Sequence, residues 1–141
     1  AYRQTAPVLA LLPPGHPLPG AGSVTLAQMA EYPLALPPAE TTVRQMIDIV
    51  CSRQGLQLSA VLISNHAKTV LNFVAHGGGL SVASEIAARH LVAAGAIVAL
   101  PISDAGMDLR DLEVQTLAGR SLPVPVQAFM ALLKERLPGP W

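Results

Sequence analysis

Two pairs of small polar residues, Thr41-Thr42 and Ser64-Asn65, each stand between a short apolar run and a stretch of helical periodicity. Hydroxyl and carboxamide side chains at a helix start can accept hydrogen bonds from the amide N–H groups that the helix itself leaves unpaired. The same free N–H groups hold small anions without help from any charged side chain. The chemistry offered is therefore binding. In an open α/β sheet, ligands settle in the crevice beyond the carboxyl ends of the strands, where two such pairs would lie side by side on one rim. Two readings follow from the residues alone. The four side chains either cap two helices and nothing more, or cap them and also floor a pocket.

Other chemistries find little support. Gly79-Leu80-Ser81-Val82-Ala83 lacks the last glycine of a nucleophile elbow, and no Asp and His follow at strand ends, so Ser81 reads as a strand serine. His16, His66, His76 and His90 form no i, i+4 pair and have no cysteine partner, which argues against metal ligation. Gly77-Gly78-Gly79 follows a helical run instead of opening one, so it stops a helix and cradles no phosphate. No catalytic residue, metal ligand or cofactor is expected.

The 141 residues suffice for one domain or for two small lobes of one unit. Nine basic residues balance nine acidic ones, so the chain has no electrostatic footprint for a phosphate backbone and should not itself bind nucleic acid. A single cysteine, Cys51, excludes an internal disulfide. The longest apolar run, Leu91 to Ile102, is interrupted by Gly95 and Pro101 and is too short to span a bilayer. No basic-then-apolar leader opens the chain, and it starts at Ala1, which suggests a piece of a longer polypeptide.

The elements that must position the polar pairs can be read in order. Pro7 to Leu12 suits a buried strand with Pro7 at its first position. Pro13 to Pro17 is a stiff connector, and Ser23 to Tyr32 reads as a short helix capped by Thr25. Leu34–Leu36 is a second strand. Thr41 or Thr42 opens a helix with the apolar stripe Val43, Met46, Ile47, Val50 and Cys51, and Gly55 stops it. Leu58 to Ile63 forms a third strand. Ser64 or Asn65 caps the next helix, whose face is Ala67, Val70, Leu71 and Val74, while Lys68 and Asn72 stay wet. Leu80 and Val82 alternate with Ser81 and Ala83 as a strand. A helix over Glu85 to Ala94, a strand over Ala96 to Leu100 and a turn at Asp104, Gly106 and Asp108 come next. Leu112 to Leu117 alternates as a strand, Ala118 to Arg120 turns, and Val124 to Leu137 closes as a helix bearing Val126, Phe129, Met130, Leu133 and Leu137. This alternation predicts an α/β layer with largely parallel strands.

The order of segments resembles the effector-binding domain of LysR-type transcriptional regulators. Val8 to Pro19, with its His-Pro-Leu, is similar to the strand and signature in the middle of that family. Tyr32 to Pro37 with Arg44 and Asp48, then Thr69-Val70-Leu71, Val74, Gly77 and Gly79, continue the likeness. So do Gly95, Pro101, the strand near Leu112 and Gly119-Arg120. Pro19 and Ser84 depart from it, standing where Ala and Pro are usual.

The resemblance implies an α/β fold of the type 2 periplasmic-binding-protein kind, two lobes with an inducer between them. It places the complete second lobe at 15–111 and remnants of the first at 1–14 and 112–141, with crossovers at Pro13–Pro17 and near Arg110–Leu112. It further implies a cytoplasmic sensor, a homodimer or tetramer with no membrane part. The sensor would take a small organic anion at Thr41, Thr42, Ser64 and Asn65, and reach DNA only through a winged helix-turn-helix outside this chain. The rival on the same scaffold is the solute-binding protein of a transport system.

Overall fold

The computed structural model describes residues 2–18, 22–107, 109–114, 119 and 121–137. The chain divides into two compact units, a larger one of Ala6–Arg110 and a smaller one of Ala1–Thr5 with Asp111–Trp141. The larger unit holds most of strand β1 (Tyr2–Leu12), then helix α1 (Leu26–Met29), β2 (Leu34–Leu36), α2 (Thr42–Gln54), β3 (Ala60–Ile63), α3 (Ala67–Ala75), β4 (Ser81–Ser84), α4 (Glu85–Ala93) and β5 (Val98–Pro101).

Its strands run in the order β3-β2-β4-β1-β5. β2 and β3 pair in parallel, with a register shift between Leu34 and Ala35. β2 meets β4 through a parallel bridge from Leu34 to Leu80, and the Ala35 N–H donates to the Leu80 carbonyl at 2.9 Å. β1 lies between β4 and β5 and is antiparallel to both. The expectation of largely parallel strands thus needs correcting. It holds where a helix connects neighbouring strands, as α2 does between β2 and β3. It fails at β1, which precedes every helix and inserts against the direction of its neighbours.

β1 also starts earlier than expected, so Pro7 is interior to it. A proline without an N–H is tolerated there because the registers with β4 and β5 begin at Val8 and Leu9. Side chains alternate across this strand. Val8, Ala10 and Leu12 enter one core with Leu26, Met29, Ile47 and Val50, whereas Leu11 enters a second with Val74, Ala88 and Ile97. Helices α1 and α2 therefore cover one face of the sheet, and α3 and α4 the other. A strand covered on both faces buries successive side chains: Leu80, Ser81 and Val82 are all buried, so the expected alternation is absent from the burial at the start of β4. Burying one such leucine fully contributes about 1.5–3 kcal/mol.

Helix α2 carries the expected stripe, with Ile47, Val50 and Cys51 buried. It ends at Gly55, whose φ of 67° lets its own N–H and that of Leu56 bond back to the last turn. Helix α1 is shorter than expected, because Val24 bridges Ile102 instead of joining it. Its N-terminus is closed by a capping box of Thr25 and Gln28, and by Asp104 accepting from the Leu26 N–H at 2.8 Å.

Strand β6 (Leu109–Val114), which pairs with β1, begins at the end of the larger unit and continues in the smaller one, where helix α5 spans Val124–Arg136. The strand expected over Leu112 to Leu117 and the turns at Asp108, Ala118 and Arg120 fall partly outside the described residues. No residue of α5 is buried, and Phe129 is 58% exposed.

Candidate functional site

Strands β2, β3 and β4 point the same way and each releases a helix at its carboxyl end. The starts of α2, α3 and α4 consequently meet on one rim, where they enclose a cavity of about 580 Å³ wholly within the larger unit. Thr41, Thr42, Ser64 and Asn65 all line it. Strand pairing continues to the rim itself, since the Ser64 N–H donates to the Leu36 carbonyl at 3.2 Å.

The three helix starts are finished differently. Thr41 caps α2: its hydroxyl accepts from the Arg44 N–H at 3.3 Å and donates to the Pro38 carbonyl at 2.7 Å. Ser84 caps α4, accepting from the Ala87 N–H at 3.3 Å. Helix α3 begins instead at His66, which makes no side-chain cap. The expectation that Ser64 or Asn65 caps this helix is corrected here. The Ser64 hydroxyl turns back to accept from the His66 N–H at 3.1 Å, two residues on, so it closes a local turn before the helix begins. The Asn65 side chain has no hydrogen-bond partner among the described residues. The first-turn amides of α3 are left without a side-chain acceptor beside it.

Ser84 and the start of α4 were not among the expected site residues. The signal was present: a serine ends an apolar strand and a helical run with Glu85 in its first turn follows. Glu40 stands at the rim, and the rest of the wall is mostly apolar, built by Val43, Val70, Leu71, Val82 and Ala83. Ser81 lies under this floor, fully buried, with its hydroxyl spent on the Ala35 carbonyl at 2.7 Å.

Apart from Glu40 at the rim, no charged side chain lines the cavity. Arg44, the nearest arginine in sequence, holds the Pro37 carbonyl and Asp48 Oδ1, each at 3.1 Å. Glu85, at the start of α4, is paired with Arg89 one turn on, and that hydrogen bond keeps its carboxyl below the usual range. The arrangement suits a small molecule that offers acceptors to hydroxyl, carboxamide and backbone N–H groups and an apolar body to the floor. Among the described residues no group of His, Cys, Asp and Glu could hold a metal ion, and no helix is long and apolar enough to cross a membrane.

A doubly wound α/β unit with its cavity at converging helix starts fits the expected type 2 periplasmic-binding-protein kind of fold. The LysR substrate binding domain matches residues 4–138. The chain is 32% identical over 77 residues to the HTH-type transcriptional regulator SsuR of Burkholderia cenocepacia, a match covering 55% of this chain and 25% of SsuR. Its fold is similar to the effector-binding domain of QuiR in complex with shikimate, with a TM-score of 0.66, 17% identity, and coverage of 94% of this chain and 61% of that one. It is also similar to the regulatory domain of CcmR from Synechocystis PCC6803 in complex with 2-PG, with a TM-score of 0.68, 20% identity, and coverage of 96% and 66%. The chain belongs to the LysR substrate-binding-domain family, a family of transcriptional regulators and not of enzymes. It spans a quarter of SsuR and less than two thirds of the QuiR and CcmR domains.

Proposed function

We propose that this chain is the effector-sensing part of a LysR-type DNA-binding regulator. On this reading it holds a small organic acid in the cavity beyond β2, β3 and β4. The acid group faces the first-turn amides of α3, between Thr42, Ser64 and Asn65, and the carbon skeleton rests on Val82 and Ala83. One observation carries the reading: of three helix starts on the rim, α3 alone lacks a cap, and the unbonded Asn65 stands beside it. The ligand-bound relatives support it, since QuiR holds shikimate and CcmR holds 2-PG. The larger unit then corresponds to the second lobe. The opposite wall of the site belongs to the first lobe, and DNA is reached through a winged helix-turn-helix elsewhere in a longer, cytoplasmic polypeptide.

The effector acts by binding a closed arrangement more tightly than an open one, because only differential affinity shifts such an equilibrium. Asn65→Ala tests the site. Titration with small carboxylates, followed by amide chemical shifts, should give affinity lower by about three- to tenfold, the worth of one hydrogen bond. The melting temperature should not move, because Asn65 bonds nothing in the fold. Equal affinity in both proteins removes Asn65 from the site.

A further inference from the structure

The walls of the cavity carry one ionisable side chain, and it is acidic. Glu40 lines the rim just before the start of α2. It is exposed and has no ion-pair or hydrogen-bond partner among the described residues. Every other polar side chain on the wall is a hydroxyl or a carboxamide. No cation lines the cavity: Arg44 is engaged with Asp48 and Arg89 with Glu85, and Lys68 is not part of the wall.

We propose that Glu40 sets the charge selectivity of the cavity. The proposal rests on the reading of this cavity as the effector site. A ligand with a single acid group is accepted by neutral donors alone. A second acid group finds no cation on this wall and meets the Glu40 carboxylate. A protonated amine at the same end meets an unpaired carboxylate and gains from it. The favoured ligand class is thus a small amino-bearing acid, and diacids are disfavoured. The α3 amides meet the acid group that all three classes share, and the helix dipoles on the rim favour anions, so a preference for the amine can come only from Glu40.

The test uses three four-carbon probes, butyrate, 4-aminobutyrate and succinate, titrated into the isotope-labelled chain at low ionic strength with amide shifts as readout. Affinity should fall in the order 4-aminobutyrate, butyrate, succinate, with steps of about two- to fivefold, as for exposed ion pairs. Glu40→Gln should bring the three together, and Glu40→Lys should put succinate first. Both variants change an exposed, unbonded side chain, so folding is spared. An order that survives both substitutions, or succinate binding first to the unsubstituted chain, overturns the role of Glu40 and leaves the site intact. Shifts of the Thr42, Ser64, Asn65 and Ala67 amides with none of the probes overturn the effector site itself, and the inference with it.

Discussion

Cys51 shows what a residue's spacing discloses and what it hides. Its place on the stripe of α2 was legible from helical periodicity, and it is 5% exposed. Burial pushes its thiol up, the carboxylates of Asp48 and Asp104 add to this, and Arg44 opposes them more weakly. The thiolate is the reactive form, so Cys51 should react with a disulfide reagent at neutral pH only as fast as the chain opens. Rapid labelling of the native chain would contradict the packing of α2. The cap of α3 was not legible at this scale. Ser64 and Asn65 were each a plausible start, and that the helix opens at His66 instead depends on where β3 releases the chain. A hydroxyl that reaches an N–H two residues on competes with one that reaches three, and no sequence pattern separates them.

Among the elements, β4 joins the sheet together. It pairs with β1 along its length and touches β2 at its start, and the touch is made by Gly79 and Leu80. The Leu80 N–H donates to the Pro33 carbonyl at 2.9 Å. Gly79 has a φ of 156°, and a Cβ placed there would collide with the same carbonyl. Gly79→Ala should therefore destabilise by about 3 kcal/mol or more, read as the midpoint of urea unfolding, because the obstacle is backbone that cannot swing aside. A loss below about 1 kcal/mol would mean that β2 and β4 separate readily. The glycine was legible as a helix stop. Its approach to Pro33 was not, because the contact joins segments more than forty residues apart. The alternation expected along β4 failed for a related reason, since only the assembled sheet shows that both of its faces are covered.

For the whole molecule, order was easier to read than direction. Nearly every element stands where periodicity and punctuation placed it, and Thr41, Thr42, Ser64 and Asn65 do share one cavity. The antiparallel course of β1 depends on pairings too distant in sequence for any local signal. Exposure also belongs to this scale. Val61 and Ile63 on β3 are 65% and 58% exposed, Ile49 on α2 is 54% exposed, and among the described residues β3 pairs with β2 alone. An apolar edge strand is a template for another chain, and we propose that this one supports self-association. Light scattering should show a dimer or larger species at micromolar concentration. Val61→Lys with Ile63→Lys should shift it toward monomer while the secondary structure persists. A monomeric parent chain would remove this face from consideration. The central position of β1 carries a last consequence, for synthesis. It is translated before its partners, and the one in β5 lies about ninety positions downstream, at Leu9 and Pro101. A growing chain on the ribosome must keep the apolar run Val8–Leu12 unsatisfied until almost the entire larger unit has emerged, and that exposure favours misassociation.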